Sequence, residues 1–176
     1  MPSSLLKPQS SIHSPIIIDL EASGFGAWSY PIEVGVAMDD GNAFCSLIAP
    51  AADWTHWDQE AERIHRLSRQ TLRTCGHPPK QVAAKLNGLL SDKTVYSDCW
   101  VVDRPWLTKL FSRAGVAMAF SVSPIELILS ESQLSFWDNI KSEVTDELGL
   151  QSHRARFDAT VIQETYRRVS SAGARH

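Results

Sequence analysis

The sequence predicts an α/β fold, a sandwich built on a mixed sheet with helices packed around it. Two observations carry this. Three strand-like runs come first, at residues 16–20, 32–38 and 43–48, and the last two are joined by Asp39-Asp40-Gly41-Asn42, a strong hairpin signal. Beyond residue 58 the apolar spacing becomes helical, interrupted only by two short strand-like runs at 94–97 and 120–122. The order is β-β-β-α-β-α-β-α-α, with the first three strands expected as an antiparallel meander.

The first strand reads Ile16-Ile17-Ile18-Asp19-Leu20-Glu21, a buried run that ends in two acids. A polar and aromatic stretch over 50–57 leads to short helices at 59–66 and 68–75, which are broken by Gly76-His77-Pro78-Pro79. Residues 80–90 place Val82, Ala83, Leu86, Leu89 and Leu90 at helical spacing. The strand at 94–97 ends at Asp98. A helix over 103–114 follows, with Pro105 in its first turn, where a missing N–H is harmless, and Gly115 as its stop. A short apolar helix or turn at 124–129 leads to a helix at 132–148 closed by Gly149. The last helix covers 154–169, with Phe157, Val161, Ile162 and Tyr166 on one stripe.

The 176 residues suffice for one domain with a sizeable core, expected over 15–170, with a mobile Ser- and Pro-rich tail at 1–14 and a short tail at 171–176. Hydrophobic residues make up 43% and charged residues 21%, as in ordinary globular chains. No apolar run approaches a membrane span, and the N-terminal segment lacks the apolar stretch of a secretory signal. Cys45, Cys75 and Cys99 are odd in number and form no CxxC, which points to reduced thiols in a cytoplasmic protein. Cys75 and His77 have no second pair with which to build a zinc site. A net charge of −3 argues against wrapping long duplex nucleic acid, while leaving a grip on a strand end open.

Asp19 and Glu21 are separated by one residue, so both point to one face of the strand and Leu20 points to the other. Two like charges at the end of a core strand are costly unless a cation lies between them or the strand runs out into solvent. Asp103 begins a helix, as an N-cap does. Asp158 shares the inward stripe of the last helix with Val161 and Ile162, where a buried acid calls for a partner. His153 lies about a turn before that helix and reads either as a loop histidine or as a group leaning over the same end.

Taken together, Asp19-Leu20-Glu21, Val102-Asp103 and His153-Arg154-Ala155-Arg156-Phe157-Asp158 resemble the three motifs of the DEDDh 3′–5′ exonucleases, in family order and over about residues 15–170. Proofreading exonuclease subunits, RNase T and oligoribonuclease are members. Ser23-Gly24-Phe25, Ile32-Glu33-Val34-Gly35 and Ile64-His65-Arg66-Leu67-Ser68 resemble the segments that flank the motifs. The five-residue step from His153 to Asp158 resembles the His subgroup rather than the Tyr subgroup. The chain departs from the family at Ala22-Ser23, where many members have Thr-Thr. It also reads Ser97-Asp98-Cys99-Trp100 where many carry His-Asn, which makes Asp98 a competitor of Asp103 for the third acid.

The resemblance implies an RNase H-like mixed five-stranded sheet flanked by helices. It further implies two Mg²⁺ or Mn²⁺ ions held by Asp19, Glu21, Asp103 and Asp158, with Asp19 bridging both. His153 would take a proton from the attacking water, which suits an imidazole with an ordinary pKa of about 6.5. Ser23, Gly24 and Phe25 would contact the substrate, a single-stranded RNA or DNA 3′ end, and release nucleoside 5′-monophosphates. Trp28 and Tyr30 are near the same strand end and would extend that stacking surface, although ordinary packing or a hairpin-tip cluster is the simpler expectation for both. Arg154 and Arg156 read equally as phosphate contacts and as a solvated helix start. A binding module that kept the fold without catalysis, a glycosidase and a phosphatase acting on small nucleotides are the competing functions. The family includes members that pair, which leaves a homodimer open.

Overall fold

The computed structural model describes residues 14–149 and 153–173. The expected N-terminal tail lies outside these residues except for Ser14, whose hydroxyl accepts a hydrogen bond from Arg167 Nε at 2.7 Å.

Strands β1 (Ile16–Ala22), β2 (Pro31–Ala37) and β3 (Ala43–Leu47) form the expected antiparallel meander. Its tight turn is closed by the Met38 amide on the Asn42 carbonyl at 2.9 Å, with Gly41 at φ 86°. Helices α1 (Gln59–His65), α2 (Arg69–Cys75) and α3 (Pro79–Leu90) follow, then β4 (Thr94–Ser97), α4 (Trp100–Ala114) and β5 (Ser121–Pro124). A 3₁₀ turn at Ile125–Ile128 leads to α5 (Glu131–Leu148) and α6 (Ala155–Gly173). The sheet order is β3-β2-β1-β4-β5, with β4 parallel to both β1 and β5.

Each face of the sheet has its own apolar layer. Ile18, Leu20, Val34, Val36 and Val95 meet α3 and α4 through Leu86, Leu90, Leu107 and Leu110. On the other face, Ile17 and Ala37 meet Ile125, Trp137, Ala159 and Ile162 of the α5–α6 side. The mixed sheet and its flanking helices are therefore as expected, with shifted boundaries. Strand β5 reaches Pro124, and α6 continues to Gly173, past both the expected helix end at residue 169 and the expected domain end at residue 170.

Helix α4 starts three residues earlier than expected. Cys99 precedes it without a side-chain cap, and the Ser97 hydroxyl takes up the Cys99 amide at 3.0 Å. Asp103 is therefore not the N-cap but lies in the first turn, and Pro105 falls inside the helix. Among the described residues, no helix is long and apolar enough to cross a membrane.

Candidate active site

The alternation of β1 selects the face on which the acids meet. Ile16, Ile18, Leu20 and Ala22 enter the α3–α4 core, and Ile17 enters the opposite layer. Asp19 and Glu21 follow Ile17 at a period of two and share its face. Across the ladder, Gly35 is the partner of Asp19 and Glu33 the partner of Glu21, so both β2 residues lie on this face as well.

These two residues seat helix α6. A Cβ on Gly35 would lie 2.2 Å from the Ala155 carbonyl carbon and from the Arg156 nitrogen, so only glycine lets the helix start rest on the strand backbone. Glu33 is 2% exposed. Its carboxylate accepts hydrogen bonds from Arg154 Nε at 3.0 Å, from Arg154 Nη2 at 2.7 Å and from the Ala155 amide at 3.1 Å. The acid thereby balances Arg154 and satisfies one of the free amides that open α6. Arg154 is committed to this ion pair, which answers the open reading of that residue. Arg156 is exposed.

Seated in this way, α6 brings Asp158 and the preceding His153 over the end of β1. Ligand atoms of Glu21, His153 and Asp158 all lie within 4.8 Å of one another, the one such His, Cys, Asp and Glu group among the described residues. His153 is exposed and takes a left-handed φ of 62°. Asp103 enters from α4, is 1% exposed, and accepts the Ser97 hydroxyl at 2.5 Å. Asp19, Glu21, Asp103, His153 and Asp158 all line one cleft of about 380 Å³.

Asp98 lines this cleft too, bound to Lys141 of α5 in an ion pair that is mostly shielded on the acid side. Lys141 is a member of the site that the sequence did not single out, because a lone lysine on a long amphipathic helix reads as solvated. Only the fold sets it against an acid 43 residues away.

Burial first, and crowding after it, makes the carboxylates reluctant to ionise. Burial, then Asp103, Asp158, Glu21 and Asp98, holds the Asp19 carboxyl well above its usual range. Burial, then Asp158 and Glu33, pushes Glu21 up to about 8. Burial pushes Asp103 up to about 7 against the Ser97 hydrogen bond, and burial raises Asp158 against the pull of His153. Burial acts on Lys141 in the opposite sense, but its neighbours Asp98, Asp19 and Asp158 prevail and keep it cationic.

A pH dependence follows. These acids hold protons in the folded state that the unfolded chain has already released, so stability falls as pH rises. Below about 6.5 the buried His65, whose pKa is lowered, works in the opposite direction, which leaves pH 6.5–8 as the clean window. In EDTA, the melting temperature is expected to drop by a few degrees across that window, since about 1 kcal/mol corresponds to ~2–4 °C for a chain of this size. Melting scans at several pH values check this, and a flat or rising curve contradicts the crowded-acid account.

Loop 23–29 borders the cleft, and its three expected substrate contacts differ in character. Ser23 is wholly buried, its hydroxyl accepting the Tyr30 amide at 3.1 Å and lying 3.0 Å from His56 Nδ1. It therefore shapes the loop and does not present its hydroxyl to the cleft. Gly24 has φ 136°, and a Cβ there would come within 2.6 Å of Asp58 Cβ, so it too serves the packing of the loop. Phe25 is 73% exposed, lines the cleft, and lies 6.0 Å from the Trp106 ring. Tyr30 packs in the core against Trp54, as expected, whereas Trp28 is 83% exposed and does not pack.

No protein-family model matches the chain, and no curated protein matches it in sequence. Solved structures do match it in fold. The zinc-bound complex of Escherichia coli Exonuclease I with single-stranded DNA superposes with a TM-score of 0.72 at 16% identity over 92% of this chain. The complex of E. coli Exonuclease I with a 5cy-dT13 oligonucleotide gives 0.70 at 15% identity over 92%. A product-bound exonuclease I gives 0.68 at 15% identity over 92%. The chain spans 41%, 41% and 44% of those proteins. The fold is thus the RNase H-like α/β fold of the exonucleases, as expected.

Proposed function

We propose that the chain is a metal-dependent 3′–5′ exonuclease that hydrolyses single-stranded nucleic-acid ends to nucleoside 5′-monophosphates. The observation that carries this reading is the convergence of Asp19, Glu21, Asp103, Asp158 and His153 on one cleft from three separate segments of the chain. The shared fold supports it, since the E. coli Exonuclease I structures hold single-stranded DNA.

The donor set suits a hard divalent ion. It is made of carboxylate oxygens, and the acids are crowded enough to stay partly protonated without a counter-charge. Asp19, Glu21, Asp103 and Asp158 would hold Mg²⁺ or Mn²⁺, two ions in this reading. Bound there, the metal supplies positive charge where a phosphodiester gains negative charge. His153 is exposed at the mouth of the cleft, where its imidazole takes the proton of the attacking water and passes it to solvent. The Ser97 hydroxyl holds Asp103 in one orientation, and the Glu33–Arg154 pair fixes the backbone that carries His153. Phe25 offers an aromatic face to the terminal base.

Digestion of a 5′-labelled oligonucleotide tests the reading. A ladder shortening from the 3′ end, with 5′-mononucleotides as product and complete loss in EDTA, is expected. Internal cuts, or release of phosphate from mononucleotides alone, would overturn it. A second measurement is independent of turnover. Metal that binds only the native state stabilises it by mass action, about 2.7 kcal/mol at a hundredfold excess over Kd. Millimolar Mn²⁺ is therefore expected to raise the melting temperature by ~5–10 °C, reversibly with EDTA. A melt indifferent to both would remove the metal from the mechanism.

A further inference from the structure

We propose that the tip of loop 23–29 and the outer face of α4 form a track for single-stranded nucleic acid, leading away from the acid cleft. The strand's polarity along this track rests on the exonuclease reading; the binding surface itself is read from charge and exposure.

A groove of about 660 Å³ runs beside α4, lined on that helix by Arg104, Lys109 and Arg113. In a chain of net charge −3 this is a local concentration of positive charge. Arg104 and Lys109 have no carboxylate partner among the described residues. Arg113 faces Asp53 at 3.4 Å in a pair whose members are both exposed, and such a pair exchanges readily for a phosphate. Lys109 Nζ donates to the Ala27 carbonyl at 3.0 Å and to the Ser29 carbonyl, which are neutral groups that leave its charge uncancelled.

Trp28 lies between the two carbonyls that Lys109 holds. The loop is further tied to α4 by Trp106 Nε1 donating to Ser29 Oγ at 2.9 Å. The loop is thus anchored on both sides while Trp28 stays 83% exposed. Phe25 lines the cleft, Trp28 is exposed on the same loop, and that loop is tied to α4 at Lys109, in the groove that Arg104 and Arg113 also line. Aromatic faces beside backbone-tracking charge match the alternation of bases and phosphates in a single strand. A protein partner offers no such repeat.

The test uses the full chain in EDTA, which prevents turnover, with labelled single-stranded DNA as a trinucleotide and as a dodecamer. Affinity is read by fluorescence anisotropy across a salt series. Arg104→Gln/Arg113→Gln is expected to lower the magnitude of the dodecamer salt slope by about 1.4, at ~0.7 per lost phosphate contact. Trp28→Ala is expected to weaken dodecamer binding roughly 5- to 150-fold, the loss of one stacked base. Both variants should narrow the gap between dodecamer and trinucleotide affinity, and melting scans report whether they fold as wild type does. Unchanged slopes and an unchanged gap in folded variants would overturn the track and leave the exonuclease reading standing. Salt-dependent, variant-sensitive binding by a chain that trims nothing would support the track while removing the exonuclease reading. Wild-type chain that binds neither strand would overturn the track.

Discussion

Asp19→Asn is expected to lower Mg²⁺-dependent trimming of a 5′-labelled oligonucleotide by a factor on the order of 10³ or more, while the metal-free protein becomes more stable. The activity loss follows from position. Asp19 lies on β1 within the electrostatic reach of Glu21, Asp98, Asp103 and Asp158, so it is the acid that shares a neighbourhood with all the others. The stability gain has the same cause. Burial, and after it every one of those neighbours, raises the cost of ionising Asp19, and an amide of equal size removes the charge without opening a cavity. Single-turnover digestion and melting scans in EDTA together check the pair of effects. Wild-type trimming by Asp19→Asn would refute the site, and a large fall in metal-free stability would refute the crowding. His153→Ala is expected to lose about 10²–10⁴ in rate while keeping the Mn²⁺-dependent rise in melting temperature, because it is assigned to the proton and not to the metal.

Gly35→Ala carries the largest expected effect on stability. The added methyl would sit 2.2–2.3 Å from backbone atoms of Ala155 and Arg156, and backbone at a helix start cannot swing aside as a side chain can. Overpacking of this kind costs ~3 kcal/mol or more, which is ~6–12 °C in melting temperature. Protein that still folds would have α6 lifted from β2, carrying His153 and Asp158 with it, so its activity is expected to fall as well. Gly88→Ala is the control. It lies in helix α3 with open space where the methyl would go, and it is expected to gain about 0.5–1 kcal/mol. Thermal melts of the two variants decide the matter. A Gly35→Ala protein as stable as wild type would show that the close seat of α6 on β2 is not required.

The first three strands were legible because apolar residues dominate them and the Asp39–Asn42 turn has its own chemistry. The four acids and the histidine were brought together by their resemblance to three family motifs, while the residues alone left Asp103 as a cap and His153 as a loop residue; the fold gathers all five on one cleft. The start of α4 was not, because Cys99 carries no capping side chain and the amide there is taken by Ser97. Between Asp98 and Asp103 the resemblance favoured Asp103, which precedes Trp106-Leu107, and the fold sets both residues on the cleft. What separates them is that Asp98 carries its own cation in Lys141, while Asp103 is buried against a hydroxyl. The support of Glu33 for Arg154 spans 121 residues, a distance at which no local pattern reports contact. For Trp28 both packing and a place at a hairpin tip were open, and the loop between β1 and β2 gives the second. An aromatic residue usually packs, and only the anchoring of its neighbours shows that this one stands free.

The seating of α6 on β2 also sets when the cleft can be completed during synthesis. A chain that has emerged from the ribosome only through α5 holds Asp19, Glu21 and Asp103 but lacks His153 and Asp158, and Glu33 still lacks Arg154. Three acids without their helix form neither the close trio at the cleft mouth nor the anchored backbone that supports it. The cleft is therefore completed by a long-range contact between β1–β2 and α6, and contacts of such sequence separation close late in folding.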